Sequence, residues 1–124
     1  MSEHLTITLP HPAAALRPNG RAHWAVKAVA AKKARRLALH TTLSRMCDRP
    51  VWYMRHKPHA YTLRWYYWRG VAPDADNALA ACKAYLDGCC DAIIVNDRDL
   101  TCCGIERLKD KHTRIEIIFH YHQP

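Results

Sequence analysis

The residues best equipped for chemistry in this chain lie close together. Asp74-Ala75-Asp76-Asn77 follows Pro73, Lys83 and Asp87 come next, and then Asn96-Asp97-Arg98-Asp99. Six of the eleven acids fall between Asp74 and Asp99, in a chain whose formal charge is +8. A protein that holds a partner by positive charge has no electrostatic reason to gather carboxylates, unless they hold a cation that reverses the local sign. Asp74 and Asp76, two apart at a strand-to-helix corner, can point into one space, and Asp97 stands on a later turn. If the strand before Asp97 lies beside the preceding one, the two turns could converge at one end of a sheet. Three carboxylates in one pocket raise one another's pKa unless a cation sits between them. Mg2+ suits such a set, because it takes oxygen ligands, keeps several waters and uses few carboxylates plus substrate phosphate. It lowers the pKa of a bound water and neutralises charge on a phosphoryl oxygen. Lys83, seven residues after Asp76, could touch a scissile phosphate or stabilise developing negative charge. The expected chemistry is metal-assisted phosphodiester hydrolysis, with Asp74, Asp76 and Asp97 as ligands and Lys83 assisting. The plainer alternative is a helix cap at Asp74, a turn at Asn96-Asp97, and an i,i+4 pair between Lys83 and Asp87.

The surrounding elements follow from periodicity. Leu5-Thr6-Ile7-Thr8-Leu9 alternates and predicts a strand ended by Pro10. A loop over 13–20 precedes a helix from Ala22 to Met46, rich in alanine and free of proline and glycine. Val26, Ala30, Ala34, Leu37 and Thr41 are its expected core face. Residues 51–59 read as a loop or frayed strand, and Ala60–Trp68 as a central strand rich in aromatics. A helix capped by Asp74 or Asp76 runs to about Asp91, with Leu79, Cys82 and Leu86 inward and Asp76, Lys83 and Asp87 on an opposing stripe. Ile93-Ile94-Val95 is expected as a short buried strand, Leu100–Leu108 as a strand or ribbon, and Arg114–Tyr121 as the final strand. The sum is a single α+β domain over 1–124, a small mixed sheet with two main helices packed on it.

Composition narrows the partner. Half of the 124 residues are hydrophobic (49%), ample for a folded domain. The isoelectric point near 9.4 favours nucleic acid over an anionic membrane or an acidic protein. No apolar run approaches the ~20 residues of a membrane span, and Leu5–Leu9 is too short for a signal peptide. From Arg17 to Arg49 there are nine Lys or Arg and one acid, Asp48. Arg17, Arg21, Lys27, Lys32, Lys33 and Arg36 are therefore the expected phosphate contacts. The six cysteines, with adjacent pairs Cys89-Cys90 and Cys102-Cys103, lack metal-finger spacing. They are expected reduced, as small buried apolar fillers in a cytoplasmic protein.

The order of motifs resembles the RusA family of Holliday junction resolvases. The likeness rests on Asp74-Ala75-Asp76-Asn77 opening a helix, Lys83 and Asp87 along it, and Asn96-Asp97 after a short apolar segment. The N-terminal part is similar too: Thr6-Ile7-Thr8-Leu9-Pro10, then Arg17-Pro18-Asn19-Gly20-Arg21-Ala22-His23-Trp24 leading into a basic helix. The resemblance implies a homodimeric, Mg2+-dependent endonuclease of bacterial or phage origin that cuts four-way DNA junctions by paired symmetric nicks. It also implies Asp74, Asp76 and Asp97 as catalytic acids and Lys83 as the active-site lysine. The turn carries a second acid, Asp99; Asp97, directly after Asn96, matches the pattern better. A basic protein that binds branched or duplex DNA without cutting it is the alternative.

Overall fold

The fold, a computed structural model, describes residues 3–18 and 23–122. Four strands form one mixed sheet in the order β1-β4-β2-β3: β1 (Glu3–Leu9), β2 (Ala60–Tyr67), β3 (Thr101–Lys109) and β4 (Arg114–Tyr121). β4 runs antiparallel to both β1 and β2, and β3 lies parallel to β2 with Ala60 opposite Thr101. The alternation legible in the sequence sets the two faces. Leu5, Ile7, Leu9, Leu63, Trp65, Ile115, Ile117 and Phe119 are buried in one core. Thr6, Thr8, Thr62, Arg64 and Glu116 take the alternate positions. The α+β class with a small mixed sheet is thus as expected.

The long helix α1 (Trp24–Cys47) packs on α4 (Lys83–Ile93). Its buried stripe is Ala34, Ala38, Thr42 and Met46, and differs from the expected one. Val26 and Leu37 are 54% and 42% exposed. The reason is close approach. A Cβ at Gly88 of α4 would lie 2.1 Å from the Arg35 carbonyl oxygen and 2.8 Å from the Ala38 Cβ. Only the smallest residues of α1 fit there, so its larger apolar side chains are left outside the contact. Val26, Val29 and Leu37 instead line a groove with Leu16 and Tyr85.

Three further expectations change. Residues 51–59 contain a short helix, α2 (Trp52–Arg55), tied to β1 by Tyr53 Oη donating to Glu3 Oε2 at 2.9 Å. The helix expected from Asp74 to Asp91 is two: α3 (Ala75–Ala81) and α4, broken at Cys82. Ile93-Ile94-Val95 is no strand. Ile93 ends α4, and Ile94 is its left-handed terminating residue at φ 62° and 77% exposed. A short apolar run suits a helix end as well as a strand, so periodicity could not separate the two.

Candidate active site

Because β2 and β3 are parallel, the chain leaves β2 at one end of the sheet and enters β3 at the other. Asp74 follows the carboxyl end of β2, whereas Asp97 precedes the amino end of β3. The strand ends that lead to the two acidic turns therefore lie at opposite ends of the β2–β3 pair. No group of three or more His, Cys, Asp or Glu among the described residues could hold one metal ion.

At the first corner, Asp74 occupies the cap position of α3 with φ −58° and ψ 158°, yet its side chain makes no cap hydrogen bond. Asp76 lies in the first turn. Both are exposed, and neither has an ion-pair or side-chain hydrogen-bond partner among the described residues. Beside them, Arg17, Pro18, Trp65, Pro73, Asn77 and Ala81 line a cavity of about 230 Å3. Arg17 is thus brought to the Asp74–Asn77 corner. Asp74 and Asp76 adjoin Pro73 and Asn77 of that lining in the chain, and two carboxylates are as many as Mg2+ needs beside its waters and a substrate phosphate.

At the second cluster, Lys83 opens α4 and forms ion pairs with Asp97 and, at 3.0 Å, with Asp87. Burial works against the charged lysine, but the hydrogen bonds to Asp97 and Asp87 hold its pKa above the ordinary value. Lys83 in turn holds the Asp97 carboxyl below the usual range. Asn96 shapes the turn, its Oδ1 accepting from the Arg98 N–H at 3.1 Å. Asp99 is exposed and has no side-chain partner among the described residues. The Arg35 guanidinium grips Asp91 through two bonds, of 2.6 and 2.9 Å, across the α1–α4 contact. A cleft of about 480 Å3 runs between Arg35, Asp87, Asp91 and Asp97. Asp76 and Lys83 stand on different helices, α3 and α4, with the break at Cys82 between them. The lysine and Asp97 are thus brought together.

The expected phosphate contacts are scattered. Lys32, Lys33 and Arg36 are exposed on α1, whereas Lys27 is half-buried in line with Ala34 and Ala38. Arg21 lies outside the described residues. The cysteines divide: Cys82, Cys89 and Cys90 are buried as expected, but Cys47, Cys102 and Cys103 are exposed, and all six are free thiols. Cys102 and Cys103 sit on β3, an edge strand with little cover, which is why the filler reading fails there.

Sequence reasoning missed the cationic rim at the carboxyl end of β2. The ammonium groups of Lys109 and Lys111 each lie 5.6 Å from the centre of the Trp68 ring. A cavity of about 310 Å3 joins Trp68 and Arg69 to His11, Arg17, Trp65 and Pro73. The signal available in the sequence was the Lys109-Asp110-Lys111 turn, which only the β2–β3 pairing brings to Trp68.

No family model matches the chain. Over 97 residues it is 36% identical to an uncharacterized protein of Xylella fastidiosa (strain Temecula1), a match that covers 75% of this chain. The match covers 60% of that protein, so the chain spans less than two thirds of the relative's length.

Proposed function

We propose that this chain is a Mg2+-dependent, structure-specific endodeoxyribonuclease that resolves four-way DNA junctions by paired symmetric nicks. The observation that carries this reading is the Asp74–Asn77 corner. Asp74 stands where a helix cap would stand but does not cap, and Asp76 beside it has no side-chain partner among the described residues. Charges left without a protein partner on a basic molecule are available to an external cation. Bound Mg2+ would be held by Asp74 and Asp76 together with the substrate phosphate, and would supply charge neutralisation at a phosphoryl oxygen. The chain's own side chains have simpler tasks. Arg17 faces the same hollow and orients the phosphate backbone, and Asn77 lines its wall. Lys32, Lys33 and Arg36 on α1 hold the duplex arms by phosphate contact. Lys83, with Asp97 fixing its ammonium, engages a neighbouring phosphate rather than the scissile one. A homodimer supplies the two sites that paired nicks require. The protein works in the bacterial cytoplasm, where its free thiols are stable.

The test is cleavage of a labelled four-way junction beside a linear duplex of the same sequence, with Mg2+ and with chelator. Paired nicks in the junction alone, lost with chelator and with Asp76→Asn while binding persists, are expected. Full cleavage by Asp76→Asn removes the carboxylate assignment.

A second reading has an observation in its favour. Asp97 is already engaged by Lys83, and no group of three or more His, Cys, Asp or Glu gathers among the described residues. A basic module that binds branched or duplex DNA without cutting would bind with a steep salt dependence and indifference to Mg2+.

A further inference from the structure

The carboxyl end of β2 carries a feature that neither phosphate contact nor hydrolysis requires. Trp68 is 38% exposed at the point where β2 ends, and Val71 beside it is 98% exposed. Lys109, the last residue of β3, and Lys111, on the turn to β4, both bring their ammonium groups to its ring. A large aromatic normally gains by full burial, and an ammonium gains by full hydration. Neither is satisfied here. Cation–π attraction at an exposed ring offsets only part of that, roughly 0.5–1 kcal/mol for each contact. The arrangement therefore suits an added ligand better than it suits the free protein. Such a ligand needs a flat face for the indole and negative charge for the two lysines. Arg17 and Arg69 line the same hollow of about 310 Å3, with His11, Trp65, Tyr67 and Pro73 among its other walls. That volume is at the lower bound of small-ligand pockets. A nucleotide meets every condition: its base stacks on an aromatic face, and its flanking phosphates reach lysines on either side.

We propose that Trp68, with Lys109 and Lys111, is a stacking platform for an unpaired base of single-stranded or branched DNA. This rests on the proposed function for the choice of DNA as the polymer, but not on cleavage. Pro73 lines the same hollow, so the stacked base lies next to the Asp74–Asn77 corner. A base paired within a duplex has no free face to offer. The platform thus selects for open strands, which an exchange point between duplex arms exposes and a linear duplex does not.

The experiment is binding of the whole chain, in chelator, to a fluorescein-labelled oligothymidylate of about 12 nucleotides and to a blunt duplex, by anisotropy. Trp68→Ala is expected to weaken the single strand about 5- to 150-fold and the duplex less than about twofold. Trp68→Phe keeps most of the affinity, because a flat ring remains. The doubly substituted Lys109→Gln/Lys111→Gln protein lowers the salt slope on the single strand by about 1.4. No binding of the oligonucleotide by the wild-type chain, an unchanged affinity in Trp68→Ala, or an equal loss on single strand and duplex would each overturn the proposal. Thermal melting of each variant shows whether it is folded, and Trp68→Leu, which removes the flat ring but keeps bulk and should lose the single strand as Trp68→Ala does, serves should Trp68→Ala not fold. Junction cleavage is scored separately. A Trp68-dependent single-strand affinity without any cleavage leaves the platform standing and removes the endonuclease reading. Cleavage with an unchanged oligonucleotide affinity in Trp68→Ala does the reverse.

Discussion

Gly88→Ala separates two physical effects of opposite sign. Gly88 is an interior residue of α4, where helix propensity alone makes alanine better than glycine by about 1 kcal/mol. Packing says the reverse. The added methyl would lie 2.1 Å from the Arg35 carbonyl oxygen and 2.8 Å from the Ala38 Cβ, where ordinary contact begins at 3.4 Å. The nearest obstacle is backbone, which has no alternative rotamer, so α1 and α4 would have to part by about 1 Å. Overpacking of this kind costs typically 1–3 kcal/mol and occasionally more. A backbone obstacle belongs at or above the top of that range, and subtracting the propensity gain leaves a net loss of about 2 kcal/mol. For a chain of this length that corresponds to a fall in melting temperature of roughly 6–10 °C. Thermal and urea unfolding followed by circular dichroism measure it. Gly104→Ala is the control: a Cβ there meets nothing within 4 Å, so its midpoint should stay level or rise slightly. A Gly88→Ala protein that melts at or above the wild-type temperature would refute the packing argument and leave propensity in charge.

Other expectations follow from single residues. Ile94→Gly should raise stability by about 1 kcal/mol in urea titration, because a β-branched residue at φ 62° is strained and glycine is not; a loss would mean that the isoleucine side chain contributes more than the strain costs. Thiol titration of the native protein should find Cys47, Cys102 and Cys103 fast and Cys82, Cys89 and Cys90 slow, since burial pushes the latter three up to about 12; all six should react in denaturant. Asp97 has a depressed folded pKa, chiefly from the hydrogen bond to Lys83, so its contribution is present above the unfolded value near 3.9 and fades as pH falls through the folded value. Because both partners are more than a third exposed, Asp97→Asn should cost less than about 0.5 kcal/mol at pH 7 and still less near pH 2, read as the urea midpoint at each pH.

The strands and the basic helix were legible because their signals are local. Thr6 and Thr8 alternate with Leu5, Ile7 and Leu9, and Arg114–Tyr121 is bounded as the sequence marks it. The face of α1 was not legible. Ala34 was placed inward as found, but alanine recurs on several sides of the helix, and choosing Ala38 over Val26 and Leu37 requires knowing that Gly88 sits opposite. The end of α4 was misread for want of the usual glycine: Ile94 takes the left-handed position that glycine normally fills. At the candidate site, the Asp74–Asn77 corner and the pairing of Lys83 with Asp87 were visible as spacing. The place of the Asn96–Asp97 turn at the amino end of β3, across the sheet from the carboxyl end of β2, was not. It depends on whether β3 runs parallel or antiparallel to β2, a non-local fact.

The strand order has a consequence for how the molecule assembles in time. β4 lies between β1 and β2, so β1 has no sheet neighbour until Arg114–Tyr121 arrives, more than a hundred residues later. While the chain is being synthesised, β1 can rest against α1 and α2 alone, with its backbone amides and carbonyls largely open to other chains. Closure of the sheet is therefore a late, long-range event that sets a slow folding rate, and the interval before it is when this protein is most exposed to aggregation.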